Sequence, residues 1–443
     1  MLAVVVSRAD EASEHIGEHL LEVGEWDEHE DPTRSDGNGG GRYYRTEGAE
    51  LRTFEDLHLH LDGVAAAFGE PDLLLFASRH AGETGPLLTA HATGNFGPAE
   101  YGGRAGSLAR AAPNALAVVR ERLGAHAPAG YDVGIECTHH GPSTVGCPSL
   151  FVEVGSDEAQ WRDPDAARAV ARSILDLRGV SAHRERTVVG FGCGHYAPRF
   201  DRILTDTDWG VGHIAADWAI DAMGDPEDAR AVIAKAFQMS GTEFAVFDGA
   251  SPGIESVLER LGFEVLSETF LRETTGVPLA LVERLEDALV PVESGLRFGT
   301  AAESADGFLT RALPEALLEE ANGIDREAVI EALDRSTIAY ETTEGATLAS
   351  GSVALPEGND DERYRAVIGA IAAILRSKYD TVEVRESSVF AARSAFDPDL
   401  AASLGVEPGP AFGRLSAGES VEVEGDRIDP ADVRSARERQ FSF

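Results

Sequence analysis

The sequence predicts an α/β fold: a mostly parallel or mixed sheet with helices on both faces, followed by a smaller α+β C-terminal domain. Three observations carry this expectation. Short apolar runs without polar alternation recur as far as residue 280, as strands buried on both faces require. Segments with a 3.6-residue apolar period are interleaved with them, the pattern of strands joined by helices. From about residue 285 the texture changes: no histidine follows His213, and glycine, alanine and acids dominate.

Taken in order, Val4–Ser7 is a first short strand, and Asp10 is placed to cap a helix running to about Val23. Met1 to Ser7 lacks a basic flank and reads as that strand rather than a signal peptide. Residues 31–42 form a Gly- and Asp-rich insertion, expected as a mobile surface loop. Strands follow at Leu73–Ser78, Val133–Cys137, Leu150–Val154 and Thr187–Phe191. Asp163-Pro164 starts a helix whose apolar stripe is Ala167, Val170, Ala171, Ile174 and Leu175. A further helix is expected from about Thr207 to Met223, with Trp209, His213, Ala216 and Ile220 on one side. We expect a catalytic domain over 1–285 and an accessory domain over 290–443, the boundary lying near 285–300. The accessory part contains an amphipathic helix over 361–378 and short strands joined by Gly turns over 410–433.

The charge balance is extreme. There are 77 acidic and 38 basic residues, net charge −39, and Lys235 and Lys378 are the only lysines. The acids are spread along the whole length, the pattern of a haloarchaeal cytosolic surface, where concentrated salt screens self-repulsion. No run of apolar residues is long enough to span a bilayer, so a cytoplasmic protein without membrane partners is expected. Cys137, Cys147 and Cys193 leave one thiol unpaired in any disulfide scheme and read as reduced.

All 13 histidines precede residue 214, and several stand in unusual company. Ser78-Arg79-His80 ends one strand, and Thr89-Ala90-His91 leads into Thr93-Gly94-Asn95. Glu136 precedes Cys137-Thr138-His139-His140-Gly141-Pro142. Glu153 sits inside an apolar strand that runs into Gly155-Ser156, and Gly194-His195-Tyr196-Ala197-Pro198-Arg199 follows another. Each cluster falls at the C-terminal end of an expected parallel strand, the edge where open α/β sheets form ligand sites. One rim fed by four strands is therefore expected.

Imidazoles with carboxylates suit a catalytic zinc, and a histidine can equally serve as general base without metal. Neither the serine-containing turns of these clusters nor the cysteines match a nucleophile elbow. The adjacent His139 and His140 would point oppositely on an extended segment, so one facing a site is the expectation. His15 and His19 read as a solvated helix face, and His58 and His60 as surface. Glu136 and Glu153 differ, because a carboxylate inside an apolar strand is costly unless paired or liganded.

These same blocks resemble the archaeal and plant D-aminoacyl-tRNA deacylases. The carriers are Ser78-Arg79-His80, Leu88 to Phe96, Glu136 to Pro142, Phe151 to Ser156 with Trp161, and Gly194 to Arg199. The likeness covers about residues 1–280, while the remainder resembles the C-terminal extension of haloarchaeal members. It implies hydrolysis of the ester joining a D-amino acid to the 3′ end of tRNA, a Zn2+ requirement, a monomer, and no DNA partner. It also implies a core related to nucleoside phosphorylases and peptidyl-tRNA hydrolases. On this reading His80, Glu136, His139 and His195 are the catalytic candidates. His80, His91, His140, Glu153 and His195 are the metal candidates, and Arg79, Thr93, Asn95, Ser156 and Arg199 are placed on substrate. Arg104, Arg110 and Arg202 would extend Arg79 and Arg199 into a residual basic patch. The competing readings are a phosphorylase-like or amidohydrolase-like enzyme acting on small molecules in an enclosed pocket, and a non-enzymatic metal- or RNA-binding protein.

Overall fold

The computed structural model describes residues 1–423 and 425–443. The chain divides into two units, Met1–Thr275 and Gly276–Phe443, so the boundary falls ahead of the expected 285–300.

The first unit opens with β1 (Leu2–Ser7) and α1 (Glu11–Val23), and the Asp10 side chain caps α1 by accepting from the Ala12 and Ser13 amides. Three strands follow: β2 (Asp27–Asp31), β3 (Gly41–Thr46) and β4 (Ala49–Phe54). They turn the expected 31–42 loop into a hairpin whose connecting turn is shorter than the insertion. Charges and tyrosines break the apolar alternation of β2 and β3, whereas β4 largely alternates and was overlooked. The chain continues through β5 (Leu73–Arg79), β6 (Leu87–His91), the ribbon strands β7 (Gly94–Asn95) and β8 (Ser107–Leu108), and α2 (Pro113–His126). Then come β9 (Asp132–Ile135), β10 (Ser149–Gly155), α3 (Glu158–Trp161) and α4 (Pro164–Leu175). β9 stops before Glu136 and Cys137, which belong to the following loop rather than to the expected strand.

These strands form one mixed sheet in the order β2-β3-β4-β1-β5-β10-β6-β9. The centre is parallel, but β6 runs antiparallel to β10, with Phe151 opposite His91 and Glu153 opposite Thr89. Helix α4 packs against both α1 and α2 on one face. The other face is covered by the short helix Val64–Ala67 and by loop residues. There Ala3, Val5, Leu74, Phe76 and Phe151 are covered by Val64–Phe68, Ala109, Val145 and Cys147. Side chains alternate along a strand, so Glu153 shares this face with Phe151 two residues before it.

A second sheet, order β12-β11-β13-β14, is wholly parallel and comprises β11 (Thr187–Gly192), β12 (Gly210–Ala215), β13 (Phe244–Asp248) and β14 (Glu264–Val265). It is served by α5 (Pro198–Asp206), α6 (Asp217–Met223), α7 (Arg230–Ser240), α8 (Pro252–Leu261) and α9 (Glu268–Glu273). The expected helix over 207–223 is thus a strand followed by a short helix. Gly-Val-Gly-His-Ile-Ala carries β-branched residues and two glycines, which suit a buried strand better than a helix. His213 accordingly shares no helix face with Asp217. α2 packs against both β6 and β12 and so joins the two sheets.

In the second unit, a sheet of Leu296–Phe298, Ala339–Thr343, Leu348–Pro356 and Phe308–Ala312 packs with helices Glu315–Asn322, Arg326–Ser336 and Asp360–Ile374. The last is the amphipathic helix expected over 361–378. Within 410–433 the first segment is helical, Pro410–Ser416, and the strands are confined to Val421–Val423 and Asp426–Ile428. No helix among the described residues is long and apolar enough to cross a membrane.

Two buried histidines make the first unit sensitive to acid. Burial pushes His58 and His213 down to about 4 from 6.5, so both are neutral in the native protein. Their contribution is fully present above pH 6.5. It declines as pH falls toward 4, because the unfolded chain takes up protons that the native state refuses. Each group can withdraw up to ~3 kcal/mol across that window. Thermal unfolding in constant high salt should show this acid-limb loss, and His213→Gln should flatten it. An unchanged acid limb in that variant would refute the assignment.

Candidate active site

The site lies where the loop after β9 crosses from the first sheet to the second. The Glu136 amide donates to the Ala90 carbonyl of β6, the Cys137 amide to the His195 carbonyl, and the Thr138 amide to the Ile214 carbonyl of β12. His213 strengthens the seam: its Nε2 donates to the Ala109 carbonyl, and its Nδ1 accepts from the Thr138 hydroxyl. These anchors make the His139-His140 segment a loop rather than an extended strand. Both rings therefore face one cluster, 4.4 Å apart between centroids, against the expectation that only one would.

His80, His91, Glu136, His139, His140, Glu153 and His195 all converge here. Glu136 is buried and accepts a 2.6 Å hydrogen bond from His195 Nε2. His80 Nδ1 lies 3.2 Å from the other Glu136 oxygen without the alignment of a hydrogen bond, and His80 Nε2 takes the Tyr196 hydroxyl at 3.1 Å. Burial opposes charge on Glu136, but its contacts with His195 and His80 outweigh that and hold it well below the usual carboxylate range. Glu153 behaves oppositely. Burial raises it more than His91 lowers it, and neighbouring Glu136 adds to the rise.

The remaining imidazoles have defined tautomers, because a carbonyl can only accept. His91 Nδ1 donates to the Ala92 carbonyl at 2.9 Å, His139 Nδ1 to Cys137 at 2.9 Å, and His140 Nδ1 to Gly141 at 3.1 Å. Their Nε2 lone pairs are left turned inward. Burial pushes His139 down to about 3 and His140 well below its ordinary value, so these rings are neutral. Glu153 Oε1 stands 3.7 Å from His91 Nε2 and 3.9 Å from His140 Nε2. His91 Nε2, Glu153 Oε1 and Glu136 Oε1 are buried without any hydrogen-bond partner. Buried nitrogen and oxygen atoms left facing one another are unfavourable unless a proton or a cation joins them, and against the opposing effect of burial Glu153 accordingly raises the affinity of His91 for protons. The ligand atoms of His91, His139 and His140 lie within 4.8 Å of one another, as do those of His91, Glu136 and Glu153. The donor set therefore fits a divalent cation of the zinc class.

Over this cluster lies a cavity of about 580 Å³, lined by Asp10, His58, Arg79, His80, Tyr101, His139, His140, Glu153 and His195 among others. It explains which expected residues face a ligand. Arg79 does: its guanidinium stacks 5.1 Å from the Trp161 ring, and no carboxylate pairs with it among the described residues. Thr93, Asn95, Ser156 and Arg199 do not line it, and each has its polar atoms engaged elsewhere. The Thr93 hydroxyl donates to the Pro142 and His140 carbonyls, Asn95 Nδ2 to Gly102, and the Ser156 hydroxyl to Gly85. They brace the loops that carry the site. Arg199 is held by Glu268 at 2.9 Å and the Phe247 carbonyl. Arg202 also lies against Glu268 and Arg104 against Asp62, while Arg110 donates to the Gly146 carbonyl and lines a different cavity, so Arg79 is the member of the expected basic patch that lines this one.

Asp10, expected only as the helix cap, and His58, expected on the surface, are both buried and line the cavity. Asp10 accepts the Arg79 amide besides capping α1, and His58 Nε2 meets the Ser13 hydroxyl. A helix cap and a His-Leu-His triplet gave no signal of this. Tyr196 was missed too, although it adjoins His195. His15 and His19 are not solvated as expected: His15 meets the Trp161 carbonyl, and His19 is buried against Glu22. Gly249-Ala250-Ser251-Pro252-Gly253, overlooked in the sequence reading, has nucleophile-elbow spacing between β13 and α8, but Ser251, at φ −137° and ψ 74°, does not have a positive φ.

An α/β fold with a carboxylate-braced histidine cluster under an open cavity defines a hydrolase-type centre. Comparison with known proteins gives the particular family. Residues 67–266 match the family described as D-aminoacyl-tRNA deacylase. Proteins named D-aminoacyl-tRNA deacylase are 66 % identical in Natronomonas pharaonis, over all of both chains, and 51 % in Halorubrum lacusprofundi, over all of this chain and 96 % of the relative. A third, from Haloarcula marismortui, is 49 % identical over all of both chains. A crystal structure of a conserved protein of unknown function is similar with a TM-score of 0.55 at 28 % identity, covering 62 % of this chain and 98 % of that one. The chain belongs to the D-aminoacyl-tRNA deacylase family. Its members' chemistry is hydrolysis of the ester bond of D-aminoacyl-tRNA.

Proposed function

We propose that the chain cleaves D-aminoacyl-tRNA in this cavity, releasing a D-amino acid and tRNA. A zinc-class cation would be held by His91, His139, His140 and Glu153, while Glu136 and His195 handle the proton. The observation that supports the metal is the set of buried, unpartnered atoms His91 Nε2, Glu153 Oε1 and Glu136 Oε1. When bound, such a cation supplies Lewis acidity toward the ester carbonyl and makes water more acidic.

The rest falls to the chain's own groups. Because Glu136 takes the His195 Nε2 proton, the Nδ1 atom of His195 is left as the basic nitrogen. It accepts a proton from the attacking water and returns it to the departing ribose oxygen, the two halves of general acid–base catalysis. Tyr196 holds His80 toward the cavity from outside. Arg79, without a carboxylate partner among the described residues of a chain of net charge −39, takes the terminal phosphate. The enzyme acts as a monomer in the cytosol, where its three buried free thiols stay reduced.

Matched D- and L-aminoacyl-tRNA should be incubated with the protein in high salt, before and after exhaustive chelation, with metal content measured in parallel. Selective loss of the D-ester, abolished by chelation and restored by Zn2+, is expected. Full turnover after complete metal removal would exclude the metal, and no turnover of either ester under any condition would exclude the function.

A further inference from the structure

We infer that Tyr101 is the stacking platform for the purine ring of the 3′-terminal adenosine, a base-recognition subsite of the same cavity; this rests on the deacylase reading above. Tyr101 lines the cavity yet remains 62 % exposed, a large aromatic left in solvent. The cavity's other tyrosine neighbour, Tyr196, is met edge-on by His80 and His195, whereas no aromatic ring of the described residues stacks on Tyr101.

An exposed ring on a mobile loop would mean little, but this loop is pinned. The Gly141 amide donates to the Tyr101 carbonyl at 3.1 Å, Asn95 Nδ2 to the Gly102 carbonyl at 2.9 Å, and the Arg104 amide to the Ser143 hydroxyl at 2.9 Å. Gly102 and Gly103 both have positive φ, 73° and 76°. A side chain at Gly102 would run into the Leu59 carbonyl, and one at Gly103 into Ser143 Oγ at 2.5 Å. Both glycines are thus required by conformation and by close approach. Asn95 and Gly141 come from motif segments that flank the histidine cluster, and Ser143 directly follows one of them. The segments that place the reacting groups also hold the Tyr101 ring at the mouth.

The substrate's chemistry matches. The ester sits on a ribose whose base is a purine in every tRNA, and a flat base leaving the cavity needs an aromatic face. Arg79 supplies the cation for the phosphate on the same cavity lining. Stacking also suits a surface of net charge −39, because it does not depend on attracting phosphates.

The test compares wild type, Tyr101→Ala, Tyr101→Phe and Tyr101→Trp on intact D-aminoacyl-tRNA and on two small esters, D-aminoacyl-adenosine and the same D-aminoacyl group on ribose without a base. Removing one base–aromatic stack costs roughly 10- to 100-fold in binding. Tyr101→Ala should raise KM for tRNA by that factor with kcat much less affected. It should shrink the preference for the adenosine ester over the base-free ester by the same factor, and Phe or Trp should restore both. A KM within twofold of wild type, or an equal loss on the adenosine and base-free esters, overturns the subsite. Failure of wild type itself to cleave D-aminoacyl-tRNA overturns the deacylase reading instead.

Discussion

Glu136→Gln should lower deacylation by roughly 10²- to 10⁴-fold, the range of a lost acid–base group, while leaving the fold intact. The substitution keeps the volume of a buried side chain but removes its charge and replaces one acceptor oxygen with a donor. His195 Nε2, at 2.6 Å, then faces either an amide that also donates or a weaker neutral acceptor. His80 loses the contact that, against the opposing effect of burial, raises its affinity for protons. Single-turnover rates on D-aminoacyl-tRNA, with circular dichroism and metal content measured on the same samples, check this. A variant within threefold of wild type would remove Glu136 from the chemistry.

Gly155→Ala should cost about 10²-fold in kcat/KM by moving His80 alone, since a displacement near 1 Å carries that effect at a reacting centre. Gly155 closes β10, and a methyl there would lie 2.7 Å from the Cβ and Cδ2 atoms of His80. The His80 main chain cannot yield easily, because its amide donates to the Val154 carbonyl and its carbonyl accepts from the Trp161 indole. The ring must therefore swing away from Glu136 and Tyr196. His80→Ala should show a similar defect, and combining the two should add little, as expected for substitutions acting on one group. Additive losses in the double variant would show that Gly155 acts elsewhere.

The site was legible in residue type before it was legible in geometry. Glu153 stood out because a carboxylate in Leu-Phe-Val-Glu-Val must be paired or liganded, and it is buried among the imidazoles. The arrangement was not legible. A single rim of parallel strand ends was expected, yet β6 runs antiparallel to β10, so His91 meets the middle of that strand at Phe151. His195 enters from a second sheet altogether. Strand pairing is set by contacts distant in sequence, and local periodicity carries no direction. For the same reason Thr93, Asn95 and Ser156 looked like substrate contacts: a motif polar group that braces a loop and one that faces a ligand read alike.

The histidine cluster, its two glutamates, the acidic surface and the family follow from the sequence by itself, because they depend on which residues occur and in which local blocks. Tertiary structure alone decided which atoms act. The carbonyls that accept from His91, His139 and His140 select their inward Nε2 atoms. Glu268 withdraws Arg199 and leaves Arg79 as the cavity's cation. The physical reason is that a hydrogen bond or ion pair needs its partner within about 3 Å, and in this chain those partners are brought in by folding from other strands and loops.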